Sequence, residues 1–233
     1  MFSKYTTRCV VLVFIVSITI AIVTISALLI ALIGFSGNEN VDIIVPLFTV
    51  FPGVFICVVV IILAVYYRKS YSKIIILAND GQYEKAIMQG KRFKKYALNL
   101  LQSDMADINI SYSYLALGDE SNFDFHINLV ASKSILTLKY FWLTFNRLLR
   151  SDISQAKIYY NDFVALRSEK QIKGIRSKEE YNELLLAAFA YEEGELENAK
   201  ERIDKFHSQF NIPIMRNYFS NALLDIERRI SAQ

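Results

Sequence analysis

The chain reads as all-α: a two-helix transmembrane hairpin followed by a cytoplasmic array of helical hairpins. Three observations predict this. Two 25-residue runs, Cys9 to Ile33 and Ile43 to Tyr67, contain no charged side chain. Further on, a small or turn-forming residue recurs at Gly81, Gly118, Ser151 and Gly194, each time between two apolar patterns of helical period. Strand signals are scarce, with no Asn-Gly dipeptide and little alternation of period two.

Composition narrows the class before any motif is read. Hydrophobic residues make up 53% of the 233 and charged residues only 21%, but the excess is concentrated in the two apolar runs. With 3 Pro and 8 Gly among many aliphatic and aromatic residues, the chain is not disordered. Both cysteines, Cys9 and Cys57, lie in the apolar runs, which excludes a disulfide scaffold.

Residues 1–67 are expected to form the anchor, with spans at about 9–33 and 43–67. Each run is long enough for a hydrocarbon core of about 30 Å. The first is too long for a cleaved signal sequence, and Ile56 before Cys57 does not suit lipoprotein processing. Pro46 fits the first turn of the second run, and Pro52–Gly53 is expected to kink it. Lys4 and Arg8 precede the first run, and Arg68, Lys69 and Lys73 follow the second. The connecting loop carries Glu39 and Asp42 and no base. The positive-inside rule then places both termini in the cytoplasm. Abundant Ile, Lys and Asn hint at a bacterial plasma membrane. Neither run holds an ionisable side chain, so the spans are expected to anchor rather than to work.

Residues 68–233 are expected to form the repeat domain. Its turns are Gly81–Ala86, Gly118–Phe123, Ser151–Ala156 and Gly194–Ala199, separated by 37, 33 and 43 residues. The small residue ends one helix, and the Ala five positions later lets the next pack closely. The long last spacing holds a polar linker, Ser168–Arg176, after which Ser177 and Glu180 make a capping box. Pro213 to Ile230 reads as a closing helix with a stripe at Ile214, Tyr218, Ala222 and Ile226. The first repeat helix, about Tyr67–Asn79, is expected to continue the second span without a break.

These turns resemble the tetratricopeptide repeat family, whose pattern at the interhelical turn is Gly-x-Tyr-x-x-Ala. Gly81, Tyr83 and Ala86 match it; Gly194, Leu196 and Ala199 match with Leu for Tyr, and Ala187, Ser111 and Tyr114 occupy further family positions. Ile74 and Thr144 stand where the family has a small residue, so the resemblance is to a divergent member. It implies a solenoid of helix pairs whose first helices line a groove for a protein partner. Aligned on the turns, the groove sites are Ile108, Tyr112, Phe141, Phe145, Leu184, Ala188 and Tyr191. They form no carboxylate clamp, and an aromatic groove suits an amphipathic helix. Packing in the core, or filling of the groove by the chain's own last helix, is the alternative.

Nothing in the chain signals catalysis. His126 and His207 have no ligand at zinc spacing, and there is no Walker loop, dinucleotide fingerprint or nucleophile elbow. The acidic run from Glu192 to Glu201 straddles a turn and reads as an exposed face. No enzyme activity, metal or cofactor is expected. Charge is more informative. Arg68 to Lys95 carries a net +6 and the remainder from Tyr96 a net −3. Arg68, Lys69, Lys73, Lys91, Arg92, Lys94 and Lys95 are therefore candidates for contact with anionic lipid headgroups, and nucleic acid is the disfavoured rival. The expected function is a membrane-anchored scaffold that recruits a protein partner. The alternative is an accessory subunit of a transport or export complex.

Overall fold

The computed structural model describes residues 64–97, 99–166, 177–206 and 212–232, together with Val23, Ser26 and Ile61. Among these residues every regular element is helical. Contacts divide the chain into two units, residues 1–70 and 71–233. In the first, residues 64–70 are helical.

The second unit is built from helix pairs. Helix α1 (residues 71–79 of this unit) pairs with α2 (Tyr83–Tyr96), Tyr71 meeting Phe93 at 5.9 Å, and α3 (Leu100–Ala116) pairs with α4 (Glu120–Asn128). After a short 3-10 turn at Lys133–Ile135, α5 (Leu136–Leu148) pairs with α6 (Ile153–Ala165), and α7 (Lys178–Glu192) with α8 (Leu196–Phe206). Helix α9 (Pro213–Ser231) follows with Pro at its start, where its missing N–H costs nothing. The first helices of successive pairs touch, α3 on α5 and α5 on α7, while α9 packs on α8.

The four turns share one design. Gly81, Gly118 and Gly194 have φ of +75°, +75° and +83°, and Ser151 has +54°. The N–H one residue beyond reaches back five residues: Gln82 to Leu77, Asp119 to Tyr114, Asp152 to Arg147 and Glu195 to Ala190, at 2.8–2.9 Å. The left-handed residue's own N–H bonds three back, at 2.9–3.2 Å. This pair of bonds is the Schellman motif, which satisfies carbonyls that the helix end would leave orphaned. Five residues after each left-handed position stand Ala86, Phe123, Ala156 and Ala199, all 0% exposed. At Ala86, Ala156 and Ala199 the small side chain lets the second helix close onto the first, whereas at the second turn the Phe123 ring is buried in that place.

Other local signals explain the remaining elements. Asp119 and Asp152 accept from the backbone N–H of Asn122 and Gln155 and so start α4 and α6. Ser177 and Glu180 form a reciprocal capping box that starts α7. Gly90 of α2 meets α3 so closely that a Cβ there would lie 2.7 Å from Ile110 Cγ1.

One expectation is corrected. Among the described residues no helix is long and apolar enough to cross a membrane. The physical reason is visible in the longest helices. The 17 residues of α3 include Asp104 and Asp107, and the 19 of α9 include Arg216, Asp225, Glu227, Arg228 and Arg229. The spans expected at 9–33 and 43–67 lie outside the described residues, apart from Val23, Ser26, Ile61 and helical 64–67. The transmembrane hairpin, and the membrane location drawn from it, therefore have no described element to carry them.

Candidate functional site

The residues expected to line a groove are instead core. Ile108, Tyr112, Phe141, Phe145 and Leu184 are at most 5% exposed, as is Ala188, and only Tyr191 is half-buried. Neighbouring helices of the array cover them, and the closing helix meets Phe145 and Tyr191. Tyr112 stacks on Trp142 at 5.2 Å, and Phe141 meets Tyr181 at 4.5 Å. From α9, Tyr218 and Phe219 lie against Phe145 at 5.3 and 6.1 Å, and Tyr218 also meets Tyr191 at 6.0 Å. Aromatics facing one another bury more apolar area than an open groove could, and their rings take stacked, tilted and edge-on geometries. Polar bonds lock α9 in place: Tyr218 donates to Glu192 at 2.9 Å and Tyr191 to Asp225 at 3.0 Å. Burial pushes the Tyr218 hydroxyl far above the usual phenol range, with the Glu192 carboxylate adding to the effect.

Beneath α2 and α4 lies a charged cluster that motif reading did not find. Asp107, 1% exposed, accepts from Lys94 Nζ at 2.5 and 2.8 Å and lies 2.8 Å from His126 Nδ1. One helical turn away, the equally buried Asp104 accepts through one oxygen from the N–H groups of Ala131 and Ser132, at 3.0 and 2.6 Å. It thereby ties α3 to the segment leading into α5. Burial raises the Asp104 carboxyl above its ordinary value, and those two N–H groups oppose the rise. Lys139 of α5 donates to the Val130 carbonyl at 3.0 Å, and burial lowers its ammonium. His126 is thus a core histidine, stacked on Tyr114 at 5.7 Å. The cluster joins three helix pairs, with each charge matched by a partner. The spacing of two aspartates at i and i+3 in the otherwise uncharged α3 was the available signal. Their partners at 94, 126, 131 and 132 are not neighbours in sequence.

The residues considered for lipid contact separate into two groups. Lys94 is held by Asp107, and Lys91 donates to the Tyr114 hydroxyl at 2.9 Å. Arg68, Lys69, Lys73, Arg92 and Lys95 are exposed. Arg92 and Lys95 have no hydrogen-bond or ion-pair partner among the described residues, and they share a face of α2 with Met88, which is 50% exposed. The acidic run is mostly engaged. Glu192 accepts from Ser151 and Tyr218, Glu193 pairs with Lys157 at 2.7 Å, and Glu201 pairs with Lys205 at 2.8 Å. Among the described residues no group of His, Cys, Asp and Glu is arranged to hold a metal ion. His207 lies outside the described residues.

Comparisons with protein-family models, with curated proteins and with solved structures find no match. The tetratricopeptide resemblance therefore stands on the turn residues alone.

Proposed function

We propose that this chain is a tetratricopeptide-like scaffold that binds a protein partner, and that it does so on the outer face of its first helix pair. The observation that carries the reading is the stripe Met88, Arg92 and Lys95 on α2. Two cations without partners among the described residues follow an exposed thioether side chain along the same face there. Exposed cations beside apolar surface are the elements of a recognition patch, with charge guiding encounter and the apolar part adding contact area. The part of the pair that belongs to the second unit, residues 71–97, has six basic and two acidic side chains, a net +4. The filled inner face supports the same reading, because it leaves the aromatic residues no room for a partner.

The test is a pull-down with the full chain from a native extract containing a non-ionic detergent. Arg92→Glu with Lys95→Glu should lose the stoichiometric partner while circular dichroism stays unchanged. A partner retained by this variant would refute the assignment.

A further inference from the structure

The partner's chemistry can be taken further, on the assumption that the α2 stripe is a docking face. A complementary surface exists on the same chain. Residues 177–206, which hold α7 and α8, carry four basic and nine acidic side chains, a net −5. On α8, Glu197, Glu201 and Asp204 are exposed at positions i, i+4 and i+7. That is the spacing of Met88, Arg92 and Lys95 on α2. Such a stripe runs about 10 Å along a helix, so two of them can meet over two turns. Both α2 and α8 are second helices of their pairs, and each turns its buried Ala, Ala86 or Ala199, toward the core. Glu197 and Asp204, like Arg92 and Lys95, have no ion-pair partner among the described residues, and no ion pair there joins the first helix pair to the last.

We infer that the partner is a second copy of this chain, with the acidic stripe of α8 in one copy seated on the basic stripe of α2 in the other. Opposite charge at the two ends of one array makes the copies self-complementary. If each α2 meets the other copy's α8, the contact closes as a two-fold dimer; if only one such contact forms per pair, it propagates head to tail. Because the paired groups are exposed, the association depends steeply on salt.

The test uses the full chain in a non-ionic detergent, with a tagged copy asked to retain an untagged one. Wild type should co-retain at low salt and lose retention about tenfold at about 0.5 M salt, where the Debye length has shrunk to a few ångströms. Arg92→Glu/Lys95→Glu should not retain itself, and neither should Glu197→Lys/Asp204→Lys. Mixing the two variants should restore retention, since each then offers what the other lacks. All four positions are exposed, so circular dichroism should match wild type in every case. Absence of co-retention by wild type, self-retention by either variant, or failure of the mixture to recover would each overturn the inference. If wild type fails to retain itself but binds a different protein or anionic vesicles, and Arg92→Glu/Lys95→Glu abolishes that binding, the second copy is refuted. The different-protein result would leave the docking face standing, whereas the vesicle result would also refute its assignment to a protein partner. If nothing binds the stripe, both readings fall.

Discussion

Replacing Asp107 with Asn should expose how much the buried cluster contributes. The wild-type carboxylate is 1% exposed and holds Lys94 through both oxygens and His126 through one. An amide keeps a single acceptor and turns a donor toward the ammonium. Removing one partner of a buried pair costs about 3–5 kcal/mol. Lys94 is 22% exposed and can swing partly into water, whereas the His126 side chain, at 9%, cannot easily do so. We therefore expect a loss of about 2–4 kcal/mol, lowering the melting temperature by about 4–16 °C for a domain of this size. The assay is urea unfolding of the full chain followed by far-ultraviolet circular dichroism at neutral pH. The triple replacement Lys94→Met, Asp107→Leu, His126→Phe should recover most of the loss, because it removes all three polar partners together. A cost below about 1 kcal/mol for Asp107→Asn would refute the claim that this cluster ties the helix pairs together.

Three further outcomes follow from the same contacts. Burial makes Asp104 hold its proton more tightly in the fold than in the unfolded chain, so stability falls as pH rises from its ordinary value of 3.8. Asp104→Asn keeps an oxygen for both N–H groups without the charge, so its stability relative to wild type should improve as pH rises through that range in pH-series melts. Gly90→Ala should destabilise by about 1–2 kcal/mol, because the fully buried Ile110 side chain cannot withdraw; in an Ile110→Ala background the same change should be neutral or favourable. At the turns, Gly118→Ala should cost about 1 kcal/mol although nothing lies within 4 Å of the added carbon, since the penalty is in the backbone. Ser151→Gly should have the opposite sign, up to about 1 kcal/mol more stable in thermal melts.

The turns were legible because a left-handed backbone position admits few residue types: Gly81, Gly118 and Gly194 each announce one, and Ser151 stands at the same place in the repeat. The Ser177–Glu180 box and Pro213 marked helix starts for equally local reasons. The role of the aromatic stripe was not legible. Tyr112, Phe141 and Phe145 have the same spacing whether they face a partner or face Trp142, Tyr181 and Tyr218, and only the packing of α5, α7 and α9 decides it. The Asp107 cluster escaped because its members come from three helices. The basic segment was visible as charge, yet the sequence did not separate Lys94, committed to Asp107, from Arg92 and Lys95, which remain available.

The central claim is that the inner face of the array is filled by the chain itself, which sends recognition to the outside. Trp142 is the chain's one tryptophan, 3% exposed, stacked on Tyr112 at 5.2 Å and 6.0 Å from Phe145, two residues of that face. Its fluorescence in the full-length protein tests the claim directly. A blue-shifted emission that added iodide barely quenches, and that shifts red only on unfolding, is the expected result. Emission at water-exposed wavelengths with strong iodide quenching in the folded protein would mean an open groove, and would contradict the account.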